Sequence, residues 1–523
     1  MDDSQREIVA FLSDPSSYPP GSGPVDIIET HASIVFLAGA RAYKLKRAVK
    51  YPYLDFSTAA RRRIACTAEL RLNRRTAPQL YLEVRAISRR ADGSVVWGRP
   101  GGDRKGDPKA HPGGQLDFVV VMRRFDQSDL LENVASGVGL SPPLCYGLSA
   151  HIAGFHEKAE QRQDRGGMAA MAEVIETNLR VLRDCRSAGF AAAQLDRLED
   201  GLRGELAARG RLLDERRQTG RVRRCHGDLH LRNICLVDGR PVLFDCIEFS
   251  EELASIDVLY DLAFLLMDLG HRGHRGLANL ILNRYLDLTG EDDGLAAMPL
   301  FLSLRAVIRA HVTATMAEHG WGSGDPAVAF AEAWRYLDEA EAALLPLPAR
   351  LVAVGGLSGS GKSALAAGLA PGLGRGPGAR VLRSDVLRKL RFGAEPESPL
   401  PPKAYTAEVT SQVYRDLCTR AAAALRAGYS AVIDAVALRE EERHSFAAVA
   451  AAAGVPFTGL WLDAPAETMQ LRIVGRRGDA SDASPDILDR QLTHDPGALE
   501  WIRIDAGSNP DATLAAARRA MLH

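Results

Sequence analysis

Alternating hydrophobic and polar positions at the beginning of the chain predict β-strands. The clearest segments are ASIVFLAG (32–39), RAYKLK (41–46) and LDFVVVMRRF (116–125). A period of two places the apolar side chains of a strand on one face, where they can be buried. We therefore expect a sheet-rich region up to about residue 125.

From about residue 140 the hydrophobic positions follow a helical period, with one interruption, RCHGDLHLRNICLVDGRPVLFDCIEF (224–249). Inside it, the apolar runs ICLV and PVLF flank Asp238-Gly239, a strong signal for a β-hairpin. Such a hairpin would bring Asp245 back beside the loop that carries Asp228 and Asn233.

A second domain is predicted after a long amphipathic helix, DPAVAFAEAWRYLDEAEAALL (325–345), which Pro346 and Pro348 terminate. The next segment, LVAVGGL (351–357), has the short apolar run and glycine-rich end of a buried strand. We place the two domains at residues 1–346 and 349–523.

Composition narrows the class of protein. A chain of 523 residues is too long for one ordinary core, and its 46% hydrophobic and 25% charged content fits a globular protein. The net charge of -1 argues against a dedicated nucleic-acid binder. Scattered cysteines, the lack of a signal peptide and the lack of a membrane-length apolar run predict a soluble, cytoplasmic protein without a membrane partner. No oligomeric state is predicted.

The interrupted segment suggests phosphoryl-transfer chemistry. Asp228 and Asn233 are separated by five residues, and Asp245 follows the hairpin. Two carboxylates and an amide oxygen that converge in this way suit Mg²⁺ on a polyphosphate, with one carboxylate left to orient a hydroxyl. An ordinary exposed Asp-Gly hairpin flanked by acidic residues is the alternative.

The segments HGDLHLRN (226–233) and DVLYDLAFLL (257–266) resemble the aminoglycoside phosphotransferase-type kinase superfamily. The resemblance implies that Asp228 orients and deprotonates the acceptor hydroxyl. It also implies that Asn233 and Asp245 hold Mg²⁺, and that His226 braces the loop.

A kinase of this type needs a strand lysine paired with a helix glutamate. Lys44 and Lys46 both qualify and share one strand face, so parity does not choose between them; Lys44 is preferred, with Glu69 as partner. Solvated roles for these residues are the alternative. Backbone amides around residues 30–33 are candidates for covering the phosphates, and Glu248 could join the metal site or face substrate.

A second phosphate-binding motif, GLSGSGKS (356–363), matches G-x-x-x-x-G-K-[ST] between an apolar strand and a helical run. Its glycines let backbone N–H groups converge on phosphate oxygens, and the helix N-terminus favours negative charge. The predicted nucleotide contacts are Gly356, Ser358, Gly359, Ser360, Gly361, Lys362 and Ser363. Lys362 would bridge the β- and γ-phosphates, and Ser363 would ligate Mg²⁺.

Downstream, ARVLRSDVLRKLRFG (379–393) resembles the corresponding segment of small P-loop kinases of the nucleoside-monophosphate-kinase-like group. The resemblance implies that Asp385 is the catalytic base and Arg388 a substrate contact. Capping of the following helix is an alternative role for Asp385. The strand YSAVIDAVAL (429–438) ends in Asp434, a second Mg²⁺ ligand at the Walker-B position.

A basic segment completes the second candidate site. In AETMQLRIVGRRGDASDAS (466–484), Arg472 and Arg476 could close over the transferring phosphate. The segment GDASDAS resembles the lid of the same kinase group, while an ordinary basic helix face is the alternative.

Together with these patterns, the two resemblances imply an α+β bilobal, protein-kinase-like (aminoglycoside phosphotransferase-like) domain followed by an α/β P-loop domain with a parallel sheet. The predicted function is transfer of the γ-phosphoryl group of ATP to a hydroxyl of a small molecule, with Mg²⁺. Two alternatives remain. One half could be catalytic and the other an ATP-binding regulatory module. The protein could instead be a nucleic-acid end kinase, an alternative against which the near-neutral charge argues.

Overall fold

The computed structural model describes residues 5–30, 32–51, 54–100, 114–320, 325–475 and 480–522. Its internal contacts form two compact units, each made of separate stretches. The first unit comprises Met1–Leu195, Leu213–Leu265 and Ile308–Arg335; the second comprises Asp196–Leu212, Leu266–Val307 and Tyr336–His523. The second unit thus includes helical stretches that precede the sequence boundary at 346–349.

The N-terminal part of the first unit is a sheet with two helices. Its elements are α1 Arg6–Ser13, β1 Asp26–Glu29, β2 Ser33–Ala38, β3 Arg41–Lys46, β4 Lys50–Tyr51, β5 Leu54–Asp55, α2 Ala59–Asn73, β6 Tyr81–Arg89, β7 Val95–Pro100 and β8 Gln115–Arg123. Six strands form an antiparallel sheet in the order β1-β2-β3-β8-β6-β7. Residues 117–122 of β8 are buried, as its apolar run predicts.

The following part is mainly helical. Its elements are α3 Leu131–Ser136, α4 Pro142–Lys158, α5 Gly167–Asp184, α6 Ala192–Gln218, β9 Val222–Arg224, β10 Ile234–Val237, β11 Arg240–Leu243, α7 Glu251–Ala254, β12 Ser255–Asp257, α8 Val258–His271, α9 Arg275–Thr289, α10 Met298–Glu318 and α11 Pro326–Leu344. The predicted hairpin is present: β10 pairs antiparallel with β11, and Asp238 and Gly239 between them have φ of 52° and 73°. Positive φ at both positions is what a tight two-residue turn requires.

The C-terminal part of the second unit is a parallel α/β sheet with helices. Its elements are β13 Leu351–Gly356, α12 Lys362–Leu369, β14 Arg380–Arg383, α13 Ser384–Arg391, α14 Ala407–Arg426, β15 Ala431–Asp434, α15 Glu440–Ala453, β16 Phe457–Asp463, α16 Ala466–Val474, α17 Pro485–Leu492, β17 Ile502–Asp505 and α18 Pro510–Ala520. The strand order is β14-β15-β13-β16-β17, and every pair is parallel. The predicted fold class is confirmed in both halves.

One helical stretch differs from the sequence expectation about membranes. The helical stretch Glu291–Glu318 is long and apolar enough to cross a bilayer, but 72% of its most apolar 18-residue window is buried inside the protein. Burial of this extent is typical of a core helix, because a helix that is apolar on all sides can be buried in a protein core as well as in a membrane.

Candidate active sites

The first candidate site is built by the hairpin and the loop before it. Asn233 ends a short 3-10 turn, and its side-chain amide nitrogen donates to the backbone oxygen of Asp228 at 2.9 Å and to its carboxylate at 2.8 Å. The backbone nitrogen of Phe244 donates to the Asn233 carbonyl at 2.9 Å, which places Asp245 beside this loop. The structure therefore brings Asp228, Asn233 and Asp245 together.

A buried carboxylate, Asp261 on α8, holds the loop from behind. It accepts the backbone N–H groups of His226 at 3.1 Å and Gly227 at 2.8 Å, and it also lies 3.1 Å from His156 Nε2. His226 Nε2 lies 2.9 Å from the Phe244 carbonyl, and burial lowers the pKa of His226. His226 therefore joins the loop to the hairpin, which is the bracing position that the resemblance implied.

The electrostatic surroundings keep Asp228 ionised. Burial by itself would raise the pKa of its carboxyl group. His230, whose Nε2 lies 3.3 Å from the carboxylate, outweighs that effect together with His226 and Arg309, and the pKa falls well below its ordinary value. Asp228 can therefore accept a hydrogen bond from a hydroxyl over the whole physiological pH range.

Both candidate lysines point into this site. Glu69 on α2 is fully buried and contacts Lys44 at 3.0 Å and Lys46 at 2.6 Å. Lys44 also lies 2.5 Å from Asp245, and Lys46 lies 2.5 Å from Glu248. The two lysines oppose the effect of burial and lower the pKa of Glu69 to about 2. Only Lys44 contacts the predicted metal-binding carboxylate.

Asp245 is held in an unusual backbone conformation. Its φ is 61°, a left-handed value that a residue other than glycine adopts at some cost. Its backbone nitrogen donates to the Tyr81 hydroxyl at 3.1 Å, and the next nitrogen, of Cys246, donates to Asn73 at 2.9 Å. Surrounding contacts of this kind are needed to maintain strained residues, which are frequent at functional sites.

Two of the candidate phosphate-covering amides of residues 30–33 are used within a turn, and that of His31 lies outside the described residues. The backbone N–H of Thr30 donates to the Ser33 carbonyl at 2.8 Å, and that of Ser33 donates to the Thr30 hydroxyl at 3.0 Å. Because these two amides are used within the turn, they are not available to bind phosphate in this conformation.

The second candidate site is formed by the loop between β13 and α12. Gly359 has φ of 84°, and a Cβ there would lie 2.5 Å from the Met469 carbonyl; Gly361 has φ of 99°. Glycine is required at Gly359 by both space and backbone conformation. The Lys362 ammonium donates to the Leu357 carbonyl at 2.9 Å. The side chain therefore folds back across the loop, while the backbone of Lys362 begins α12.

The two predicted Mg²⁺ ligands of this site are in contact. The Ser363 hydroxyl lies 2.6 Å from the Asp434 carboxylate. Arg383, which sequence reasoning missed, donates to Ser363 at 3.0 Å and to Asp434 at 3.3 Å. Hydroxyl and carboxylate oxygens are ligands that Mg²⁺ prefers, so this pair fits the ion chemically, as do the oxygens of Asp228, Asn233 and Asp245 in the first site.

Asp385 lies in the first turn of α13, and the N-cap position of this helix is Arg383. Burial and the neighbouring Asp434 raise the pKa of Asp385, while Arg383, a hydrogen bond from Ser481, and Lys362 oppose the rise. A carboxylate with a raised pKa beside a phosphate-binding loop suits a proton acceptor better than a structural cap.

A cavity of about 1160 Å³ joins the phosphate-binding loop to Asp385, Arg388 and Arg472. Arg388 is buried and donates to the Ala404 carbonyl at 2.7 Å, while its Nε finds no hydrogen-bond partner among the described residues. Arg472 donates to the carbonyls of Ser360 at 3.4 Å and Ser508 at 2.9 Å. Arg476 lies outside the described residues.

Asp482, in the predicted lid, is a further residue that the sequence did not single out. Its carboxylate accepts from the buried Lys389 at 2.6 Å, from the backbone nitrogen of Leu400 at 3.1 Å and from the Tyr405 hydroxyl. The same segment contains a second aspartate, Asp479, and no feature of the sequence distinguishes Asp482 from it. The contact fixes one wall of the cavity.

Two family models match the chain. The model described as "Phosphotransferase enzyme family" matches residues 58–300, and the model described as "AAA domain" matches residues 351–494. The first range contains the Asp228 site, and the second contains the phosphate-binding loop and Asp385. The chain therefore carries kinase-type phosphotransferase and P-loop nucleotide-binding domains.

Among solved structures, a choline/ethanolamine kinase family protein from Mesorhizobium loti is 16% identical; the match covers 65% of this chain and 99% of that one, with a TM-score of 0.39. The Mycobacterium tuberculosis APS kinase CysC is 22% identical; the match covers 34% of this chain and 100% of that one, with a TM-score of 0.25.

The relatives by sequence include an uncharacterized protein of Mycobacterium tuberculosis (strain ATCC 25618 / H37Rv) and one of Mycobacterium bovis. Each is 32% identical over 472 residues, and each match covers 88% of both chains. Since the similarity extends through both candidate sites, the chain belongs to the protein family of these mycobacterial proteins, and it joins a phosphotransferase-enzyme-family domain to a P-loop domain.

Proposed function

We propose that this protein is an ATP-dependent kinase with two active sites, each of which transfers the γ-phosphoryl group of ATP to a hydroxyl of a small molecule. The observation that carries the proposal is the presence of a complete set of polar groups in each unit. One unit unites Asp228, Asn233 and Asp245, and the other unites Ser363, Asp434 and Asp385 around the phosphate-binding loop.

In the first site, Asp228 accepts a hydrogen bond from the acceptor hydroxyl and takes its proton as the oxygen attacks phosphorus. The bond between the γ-phosphorus and the bridging β-oxygen breaks, the bond to the acceptor oxygen forms, and ADP leaves. Lys44, fixed by Glu69 at 3.0 Å, is placed to neutralise phosphate charge.

In the second site, backbone N–H groups of the glycine-rich loop and the ammonium of Lys362 hold the phosphates. Asp385 takes the proton of the acceptor hydroxyl, and the same bonds form and break. Arg472, which donates to a carbonyl of the loop, contributes positive charge beside the transferring group.

Asn233 and Asp245 would hold Mg²⁺ in the first site, and Ser363 and Asp434 would hold it in the second. The ion would supply neutralisation of the charge that develops on the phosphate oxygens. In both sites the remaining contribution of the protein is the placement of the hydroxyl in line with phosphorus.

The acceptor we propose is a small polar molecule rather than a nucleic acid, and the proposed compartment is the cytoplasm. The cavity at the second site is lined by hydroxyl groups, among them those of Thr410, Ser411 and Tyr414. The near-neutral net charge of -1 supplies little of the phosphate attraction that nucleic-acid binding needs.

The test is a screen of cell metabolites for ATP-dependent products, run with the wild type, Asp228→Ala and Lys362→Ala. Loss of one distinct product in each variant supports two kinases. Loss of one product in Asp228→Ala with no product assigned to Lys362 would make the P-loop domain a regulatory module. Full activity in both variants would refute the proposal, and phosphorylation of oligonucleotide ends alone would establish a nucleic-acid kinase.

A further inference from the structure

Strand β14 ends at Arg383, two residues before the proposed base Asp385, and it lies at the edge of its sheet. Among the residues that the structure describes it pairs only with β15, so no described strand lies on the other side of its backbone. Unpaired backbone groups on an edge must find other partners when they are buried. Those partners come from α9, which belongs to the same unit and lies about a hundred residues earlier in the chain.

Two asparagines of α9, one helical turn apart, occupy this edge. The Asn283 side chain accepts the backbone N–H of Val381 at 2.7 Å and donates to the Ala379 carbonyl at 3.1 Å. Asn279 donates to the same carbonyl at 2.9 Å. A side-chain amide has the donor and acceptor pair of a peptide group, so Asn283 acts here as one residue of a neighbouring strand.

A buried ion cluster anchors the beginning of the strand. Arg380, whose side chain is fully buried, lies 2.7 Å from Asp287 and 2.6 Å from Asp292. Its guanidinium also donates to Asn283 at 3.1 Å. Buried charges are retained only with partners, because an unpaired buried ion costs several kcal/mol. Arg380 therefore fixes β14 against α9 and the turn that follows it.

The other end of the strand reaches the proposed Mg²⁺ site. Arg383, the last residue of β14, contacts both Ser363 and Asp434, and Asp385 follows two residues later. Four residues of a strand span only about 10 Å, with a rigid backbone between the anchored and the functional end. A shift at Arg380 is thus transmitted to Arg383 and Asp385.

We propose that α9 is a positioning element of the P-loop site, and that Asn283 and Arg380 are positioning residues for Arg383 and Asp385. This inference rests on the proposed function of the second site. It also offers a structural reason why the two domains occur in one chain. Helix α9 lies inside residues 58–300, which match the phosphotransferase family model, whereas β14 lies inside residues 351–494. A helix within the range of the first family model therefore supports a strand that leads to the second site.

The test uses the full-length chain with Asp245→Ala as the parent, so that nucleotide binding reports the P-loop site. Affinity for the non-hydrolysable analogue AMPPNP is measured by calorimetry with and without Mg²⁺, and hydrogen exchange is followed at the amides of residues 379–383. We expect Asn283→Ala to weaken Mg²⁺-dependent binding about fivefold, the value of one hydrogen bond, and to speed exchange of the Val381 amide. Binding without Mg²⁺ should stay the same.

Two variants separate positioning from general destabilisation. Asn279→Ala leaves the contacts of Asn283 with Val381 and Ala379 in place and should weaken binding less than Asn283→Ala does. Thr289→Val removes a hydrogen bond that Thr289 makes to Tyr285 within α9 itself, and should also leave binding unchanged. If Asn283→Ala exchanges faster at Val381 but binds Mg²⁺–AMPPNP like the parent, or if Thr289→Val weakens binding equally, the inference is wrong. A Lys362→Ala variant that binds like the parent would instead refute the proposed function of the second site.

Discussion

The Lys46 ammonium lies 2.5 Å from the Glu248 carboxylate, and both side chains are almost completely buried. This ion pair joins β3 to the segment that follows Asp245, and Glu69 contacts the same lysine at 2.6 Å. The site therefore contains two lysines and three carboxylates in direct contact. Lys46 thus contacts the segment that follows Asp245, while Lys44 contacts Asp245 itself.

Replacement of Lys46 by Met should destabilise the first unit by about 3–5 kcal/mol, because Glu248 is left as an unpaired buried charge. The thermal unfolding midpoint measures the effect. Lys46→Met/Glu248→Leu should recover part of the loss. The control is Arg61→Met, which breaks the ion pair of Arg61 with Asp55 at the surface and should change little. Equal midpoints for Lys46→Met and Arg61→Met would contradict the structural importance of the buried pair.

Replacement of Asp228 by Asn should lower turnover at the first site by about 10²–10⁴-fold, the range for loss of a general base. The isosteric amide should leave nucleotide binding unchanged, because the role proposed for Asp228 is to act on the acceptor. Single-turnover phosphotransfer and calorimetry measure the two quantities. Asp238→Asn is a matched control, since Asp238 is exposed in the hairpin turn and asparagine tolerates its positive φ. A larger effect on nucleotide affinity than on turnover would assign Asp228 to the metal instead.

The two sites should differ in their pH dependence. Asp228 has a lowered pKa, and Asp385 has a raised pKa. A base must be ionised, so each reaction slows as the pH falls through the pKa of its base. Lys362-dependent turnover should therefore fall at a higher pH than Asp228-dependent turnover, with its midpoint above the ordinary aspartate value of 3.8. Profiles of kcat against pH that coincide for the two reactions would exclude Asp385 as the base of the second.

Replacement of Asp482 by Asn should destabilise the second unit by about 2 kcal/mol, because charge-assisted hydrogen bonds from Lys389 and Tyr405 are weakened. The acceptor KM should rise more than the ATP KM, since Asp482 and the proposed base Asp385 line the same cavity.

Asp489→Asn, an exposed change on α17, is the control for the Asp482 variant and should leave the unfolding midpoint and both KM values unchanged. If Asp482→Asn instead raised the ATP KM and left the acceptor KM constant, Asp482 would lie on the nucleotide side of the cavity.

The sequence by itself determined the features that depend on local spacing. The Asp-Gly turn brings Asn233 and Asp245 together because a two-residue hairpin fixes its own register. The phosphate-binding loop is equally local: Gly359 and Lys362 act within eight consecutive residues that join a strand to a helix. The choice of chemistry at both sites, and the parallel and antiparallel sheets that carry it, follow from such patterns.

Tertiary structure alone decided the partners that are distant in the chain. Lys44 and Lys46 share one strand face, so only the positions of Glu69, Asp245 and Glu248 separate their contacts. Asn283 and Val381 are 98 residues apart, and neither carries a motif. Side-chain amides and carboxylates look alike in sequence whether they face water or a buried partner. The role of such a side chain depends on which unpaired backbone groups lie beside it in the folded protein. These neighbours are set only when distant segments of the chain pack together.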